Sequence, residues 1–529
     1  MKTYFNHKKW FLTAALAGTV ILNGCTKLDE KVYSEVLAQN FQATAQDVPA
    51  LIAPVYTVLR ANTASWQALF DLQEEAADQI VTPARPNGWV DGGTYRRMHE
   101  HVWTPTQGQP NGLYNRCYTG INNANRVLFQ IESGEIPITS GKDAIVAELK
   151  AARAYYYYLL LDNHGNVPIV TDFKDTSLPV QRTRQQVYDF VVKEFTDAIP
   201  NLSPVVSNAT YGRMTRWAAK AFLARVYLNA EVYTGTARWA ECIQQCNDII
   251  ASNQYVLAPT YRENFTSTNH NSKEIVFAVP YDEIFATESN MHMKTLDPLM
   301  QLVYPMQVQP WGGNCAVPQW IDTYDPDDRR LRDTWIMGPQ YNATTGALVI
   351  NYVKTVTSIA SSTSNQGFRI GKYEIKSGMR GGSSVDFPLM RYADVLMMKA
   401  ESLLRTGNAT EAATIVSQVR ARSFTANPAK ATVTAAQLQQ GSSYPYGEWA
   451  NGAQTTFEGG ADIPFGRMLD ELGWEFAAEA KRRQDLIRFG VYHRKSWFSH
   501  KPSATFRNIF PIPANSLLVN PNLKQNPGY

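Results

Sequence analysis

Helical periodicity dominates the chain. Apolar residues recur every three or four positions over 143–162, a run of good helix formers (DAIVAELKAARAYYYYLLLD). The same spacing predicts a helix over 184–200, ending near Pro200, and a last long helix over 467–489, stopped by Gly490. Two helix pairs are predicted, one over 215–233 and 237–253 around Gly235, the other over 389–406 and 409–423 around Gly407 and Asn408. Strand candidates are few and short: 275–279, 349–353 and 368–375, which read as local hairpins rather than a main sheet. Between the helices run long irregular stretches, 82–113, 281–346 and 424–466, of the length that is usually functional or disordered.

Both helix pairs place small residues where helices would cross, and each spans about the ~34 residues of a tetratricopeptide-type helix-turn-helix unit. A plain helical bundle accounts for them nearly as well. The expected fold class is mainly α, with tetratricopeptide-like helix pairs as a scaffold, long irregular loops and a few short β-hairpins. Tyr155, Tyr156, Tyr157 and Tyr158 look like a stacking platform, but consecutive helical positions point ~100° apart, so these rings belong in helix packing.

The first 25 residues change the picture most. Lys2, His7, Lys8 and Lys9 make a basic start, and residues 10–22 are apolar or small, interrupted only by threonines. The run is short for a spanning helix and fits the core of a secretory leader. It ends Leu22-Asn23-Gly24-Cys25, which resembles a bacterial lipobox, with Cys25 as the lipidated first residue of the mature chain. A plain secretory peptide is the alternative and leaves Cys25 unexplained. The expected organisation is therefore a lipoprotein signal peptide at 1–24, then regions 25–235 and 236–529 forming one compact unit.

Charge and cysteines narrow the classes. The formal net charge of +3 is the contribution of the leader's Lys2, Lys8 and Lys9, so the mature chain is neutral and carries no electrostatic footprint for nucleic acid. Aromatics reach 12%, with 27 Tyr and 12 Trp, and rings with polar tips suit both helix packing and half-wet ligand sites such as sugar sites. Cys117, Cys242, Cys246 and Cys315 read as buried thiols, and Cys242 with Cys246 lacks the second ligand pair of a zinc site.

Catalytic signatures are weak. Asp71, Glu75 and Asp78 share one face if 65–80 is helical, and one face of one helix does not flank a sugar from two sides. Those acids read as solvated or paired with an Arg, or as polar ligand contacts. Asp325-Pro326-Asp327-Asp328 lacks the Gly and terminal Glu of an EF-hand loop; it reads as a turn capping a helix start, with a structural calcium ion as the alternative and no other cofactor expected. His99 and His101 do not have the i, i+4 spacing of a helical zinc pair. No nucleophile elbow, phosphate loop or dinucleotide fingerprint occurs. Loop tryptophans are the better signal: Trp89 in RPNGWVD and Trp311 in QPWGGN sit beside Gly and Asn, offering a flat ring for a pyranose face with polar groups alongside, or else stapling their own loops.

Several stretches carry a resemblance: 148–156 (ELKAARAYY), 163–168 (NHGNVP), 391–396 (RYADVL), 473–479 (GWEFAAE) with 481–488 (KRRQDLIR), and the end, 511–513 (PIP) and 520–529 (NPNLKQNPGY). Together they identify the chain as similar to the SusD/RagB family of outer-membrane nutrient-binding lipoproteins, over nearly its whole length. Ala480 departs from the Gly expected before the basic cluster. The resemblance implies a helical scaffold with a loop-borne ligand site and no enzyme activity. It implies capture of oligosaccharides at the cell surface for a TonB-dependent SusC-like transporter, with peptides as the cargo of some relatives such as RagB. A secreted glycosidase is the more distant alternative. By the same resemblance the carbohydrate contacts fall in loops near 78–91 and 290–320: Asp78, Arg85, Trp89 and Asp91 in the first, Trp311, Asn314 and Trp320 in the second.

Overall fold

A computed structural model of the chain describes residues 47–86 and 90–529. The leader, Cys25 and Trp89 lie outside the described residues, and the side chain of Asp91 is not described.

The fold is mainly helical. Helices α1 (Val48–Thr63), α2 (Gly108–Glu132), α3 (Lys142–Asn163) and α4 (Arg184–Ala198) pack in turn, α1 on α2, α2 on α3 and α3 on α4. Then come α5 (Arg216–Leu228), α6 (Trp239–Ala251), α7 (Tyr392–Arg405) and α8 (Ala409–Arg420). Here α5 packs on α6, α6 on α7 and α7 on α8. The two predicted pairs are thus one continuous stack, although some 140 residues separate α6 from α7 in the sequence.

Local chemistry sets these boundaries. Thr183 opens α4 with a reciprocal capping box to Gln186, Thr215 caps α5 and Asn408 caps α8, each satisfying a backbone N–H that a helix start leaves open. Gly407, at φ +89°, lets the chain reverse between α7 and α8. Where α2 crosses α3, a Cβ on Gly120 would lie 2.3 Å from the Tyr156 ring, so only glycine permits the approach. All four consecutive tyrosines are buried although they point ~100° apart, because α3 is packed by α1, α2, α4 and α5. Tyr156 donates to the Val55 carbonyl at 2.6 Å, Tyr155 packs against Phe222, and Tyr158 accepts from Gln484 at 2.9 Å.

Every described sheet has two strands. Strands β1 (Ile80–Val81) and β3 (Cys315–Ala316) pair antiparallel, as do β2 (Ile275–Val279) and β6 (Phe387–Arg391), and β4 (Gly338–Tyr341) and β5 (Leu348–Tyr352). Only β4–β5 is the local hairpin expected of the strand candidates. The β2 candidate instead finds a partner more than 100 residues away, and of the 368–375 candidate only Arg369–Ile370 is a strand, paired with Trp335–Ile336.

The last long helix is broken. It forms α9 (Gly466–Phe476) and α10 (Arg482–Arg488), and between them Ala478 and Ala480 take φ of +61° and +59°. The break turns Glu479 inward. Its carboxylate meets Arg391 at 2.7 Å and Lys372 at 2.6 Å, both wholly buried. A glycine before the basic cluster is therefore the conformationally natural residue, and alanine at 480 holds a left-handed backbone at a cost of about 1 kcal/mol. Ala480→Gly should raise the thermal midpoint slightly, by a degree or two, in differential scanning calorimetry; a lowered midpoint would contradict the strain.

Around this break lies a buried ionic knot. Arg391 contacts Glu274 (2.5 Å), Glu475 (3.1 Å) and Glu479, while Arg422 pairs with Glu274 and with Glu475 (2.6 Å). Burial alone would push the Glu274 carboxyl up, but Arg422 and Arg391 outweigh it and hold it at about 2. Glu479 is likewise held well below the usual carboxylate range, burial being overcome by Arg391 and Lys372. The 325–328 stretch is the expected turn: Asp328 accepts from the Arg330 N–H to cap the helix Arg329–Thr334, and the Lys430 ammonium bridges Asp325 and Asp327 at 2.8 Å each. That ammonium stands between the two acids that the calcium alternative required.

Candidate functional site

The two loops that the sequence nominated separately come together through the β1–β3 ladder, where Ile80 faces Ala316 and Val81 faces Cys315. Side chains then tie them. Arg85 donates to the Gly313 carbonyl (3.3 Å), the Thr363 carbonyl (2.7 Å) and the Cys315 sulfur (3.2 Å). Glu75 accepts from the Thr82 hydroxyl at 2.7 Å and from the Asn314 amide at 3.3 Å. Lys294 pairs with Asp71 at 2.7 Å, while its own carbonyl accepts from the N–H groups of Gly313 and Asn314.

Above this layer stands Trp311, about a third exposed (36%). Its ring meets Trp66 edge to face at 6.0 Å, and Trp66 meets Tyr95 in the same way at 6.0 Å. The aromatic row thus joins the 290–320 loop to the turn after α1 and to the short helix Thr94–His99. Gln67 lies next to it, its amide over Gly108, where an added Cβ would come within 2.5 Å. Gln107, Gln109, Thr94 and Arg97 form a hydrogen-bonded group on the same side of the first loop. Gln107 and Gln109 are buried and hold that group in place, so the surface offers apolar ring faces flanked by the half-buried Gln67 amide, Thr94 hydroxyl and Arg97 guanidinium, a combination that suits a ligand with apolar faces and hydroxyl edges.

The expected contacts divide. Trp311 lies at the surface. Asn314 lies beneath it, buried, with its amide given to Glu75. Asp78 is wholly buried in an ion pair with Arg482 (2.7 and 2.9 Å) and accepts from the Tyr446 hydroxyl, so it braces the core and does not face a ligand. Arg85 spends its donors on loop carbonyls and is 5% exposed, which makes it a loop brace. Trp320 is core: it is fully buried on the short helix Pro318–Ile321, under the Arg482 guanidinium at 5.1 Å and against Tyr324 and Tyr444. Trp66 and Gln67 are the additions. The signal for them was present, since Trp66 in ASWQ has the same small and polar flanks as the loop tryptophans.

The acids beneath the site are not a catalytic pair. The 65–80 stretch is not one helix; it holds a π-turn, Asp71–Glu75, whose carboxylates are all taken by the protein, Asp71 by Lys294, Glu74 by the Lys481 N–H, and Glu75 by Thr82 and Asn314. Glu75 is pushed up to about 8, first by burial and then by the Asp71 charge, and Glu74 to about 7 by burial. His99 and His101 are buried too. The His101 Nε2 lies 2.9 Å from the Ala76 carbonyl, its ring is against Tyr492 and His500, and burial lowers both histidines. The four cysteines Cys117, Cys242, Cys246 and Cys315 are free and buried. Among the described residues no group of three or more His, Cys, Asp or Glu could hold a metal ion, and no helix is long and apolar enough to cross a membrane.

Glu75 makes the stability of the fold depend on pH. Its folded pKa lies above the ordinary 4.5, so its neutral form is stabilising, and that contribution is lost as pH rises from 4.5 through about 8. Glu75→Gln, which has the shape of the neutral acid, should match the wild-type melt at pH 5 and exceed it by several degrees at pH 8. A gap that does not widen with pH would contradict a neutral Glu75.

Comparison with known proteins supplies the family. The model described as "SusD family" matches residues 273–529, and one described as "Starch-binding associating with outer membrane" matches residues 28–228. The chain is 25% identical over 442 residues to the SusD-like protein P38 of Formosa agariphila, covering 79% of this chain and 82% of that one. It is 22% identical over 524 residues to the starch-binding protein SusD of Bacteroides thetaiotaomicron, covering 88% and 86%. Among solved structures, a SusD superfamily protein from Parabacteroides distasonis aligns with a TM-score of 0.70 at 19% identity, covering 94% of this chain and all of that one. Surface glycan-binding protein A from Bacteroides thetaiotaomicron, in complex with laminarihexaose, aligns at 0.64 and 18% identity, covering 92% and 100%.

Proposed function

The chain belongs to the SusD/RagB family, whose members bind nutrients and are not enzymes, and from that premise we propose that it captures oligosaccharides at the cell surface and delivers them to a TonB-dependent SusC-like outer-membrane transporter. The observation that carries this reading is the half-open Trp311 ring, set edge-on to Trp66 over two loops locked together by Arg85, Glu75 and Lys294. A sugar ring stacks its C–H face on Trp311, and the polar side chains beside it read the hydroxyls. Because the supporting bonds are buried, the platform is formed before ligand arrives and little ordering is needed on binding. Starch binding by one relative and laminarihexaose binding by another support a glucan as cargo.

The leader and lipid tether belong to the same proposal. Residues 1–24 are removed and Cys25 is acylated, which holds the body at the outer membrane on its outward side. The regions 25–235 and 236–529 act as one unit, a reading supported by β1 pairing with β3 and α5 packing on α6 across that division. Native electrophoresis in gels cast with laminarin or with starch tests the binding: the protein should be retarded in at least one relative to a non-binding control, and unchanged mobility in both would count against a glucan cargo.

A further inference from the structure

A second cleft lies away from Trp311, between the C-terminal half of α2, the middle of α3 and the loop 170–174. It encloses about 330 Å3, at the small end of the range for ligand pockets. Phe129 and Phe173 line it with ring centroids 6.1 Å apart and planes tilted by 36°. Glu132, Lys150, Arg153 and Asp172 supply its polar lining.

The cleft is built rather than incidental. Arg153 is nearly fully buried, its Nε and Nη2 bonded to Glu194 at 2.9 and 2.7 Å and its Nη1 to the Asn125 side-chain Oδ1 at 2.7 Å. The Asn125 amide in turn donates to the Val170 carbonyl at 2.9 Å, which fixes the root of the loop that carries Phe173. Tyr157 secures the same residue, its hydroxyl accepting from the Val170 N–H at 2.7 Å. At the mouth, Lys150 and Glu132 stand 3.9 Å apart, and the exposed Lys174 ammonium sits 4.5 Å over the Phe129 ring, on a flexible stem that swings aside at small cost.

The chemistry of the lining selects a ligand class. Lys150, Arg153 and Lys174 balance Glu132, Asp172 and Glu194, so the cleft has no net field for a charged ligand. With Arg153 held by Glu194 and Asn125, the Lys150 ammonium donates and the Glu132 and Asp172 carboxylates accept beside a pair of aromatic rings, which matches hydroxyl groups that both donate and accept on a body with apolar faces. We propose that this cleft is a second saccharide site, taking one or two neutral pyranose units. The cleft and the Trp311 surface lie toward opposite ends of α2, whose first turn carries Gly108 and Gln109 and whose last turns line the cleft, so the two sites engage separate parts of a long glycan and gain from their linkage.

Saturation-transfer NMR with laminaribiose, maltose and cellobiose tests it in the full chain. Trp311→Ala silences the first surface; transfer to at least one disaccharide should persist in that variant. Adding Phe173→Ala should then cut it roughly fivefold, as loss of a stacked ring worth about 1 kcal/mol requires, while Phe173→Tyr keeps it. Loss of all transfer in Trp311→Ala alone, no effect of Phe173→Ala, or no transfer to the wild-type protein would each overturn the second site. Loss of transfer on Phe173→Ala with no change on Trp311→Ala would instead leave the cleft standing and remove the Trp311 surface.

Discussion

The Arg391→Ala protein is expected to melt about 4 °C below the wild-type chain, because removing one member of a buried charge network costs about 3–5 kcal/mol and each kcal/mol moves the midpoint of a chain this long by about 1 °C. Arg391 touches three carboxylates, none of them accessible to solvent. Without it, Glu274, Glu475 and Glu479 crowd together with only Arg422, Arg330, Lys372 and Lys481 left to balance them. That loss is a large fraction of an ordinary net stability of about 5–15 kcal/mol. Arg391→Lys keeps a charge but not the planar fork and should fall between the two. Arg96→Ala breaks a solvent-exposed pair with Glu100 and should leave the melt where it was. A melt of Arg391→Ala equal to that of Arg96→Ala would show that the knot does not stabilise the fold. Both Glu274 and Glu479 ionise more readily in the folded chain, so their stabilisation is complete above pH 4.5 and drains away as pH falls toward 2.

The stretches that carried the family resemblance turn out to be structural. Glu148 pairs with Arg213, Arg153 with Glu194, Asp394 with Arg225, Arg482 with Asp78 and Arg488 with Glu401. Nearly every charged residue of those stretches is spent inside the scaffold, which explains why the fold was legible from them and the ligand site was not. Helix positions were legible because periodicity and caps are local. The break at Ala478–Ala480 was hidden because the apolar pattern of 467–489 continues through it, and only the burial of Glu479 between distant cations forces the turn.

The proposed site was legible in part. Loops bearing Trp beside Gly and Asn pointed to Trp311, and their convergence rests on the β1–β3 pairing, which no short-range pattern reveals. Asp78 resembled a surface acid until Arg482, 404 positions later, supplied its partner. Trp320 shared its residue type with Trp311 but not its surroundings: a Cβ on Gly473 would come within 2.5 Å of the Trp320 ring, so that ring is packed too tightly to serve as a platform.

Trp311→Ala is the second large effect. Removing a central stacked ring from a binding surface costs about 2 kcal/mol, which lowers affinity for a retained oligosaccharide roughly 30-fold in isothermal calorimetry. The melt should fall by a few degrees at most, since the ring is a third exposed and rests on Trp66 rather than in the core. Trp66→Ala should weaken binding less, through loss of the support that orients Trp311. Equal affinities for wild type and Trp311→Ala would remove this surface from the account.

A crystal structure of the protein with the oligosaccharide that retards it in gels would show whether a saccharide is held on the row Trp311, Trp66 and Tyr95. A pyranose ring should be found stacked on Trp311, with hydroxyls within hydrogen-bond reach of Gln67, Thr94 or Arg97. A saccharide bound elsewhere, with Trp311 bare, would contradict that placement.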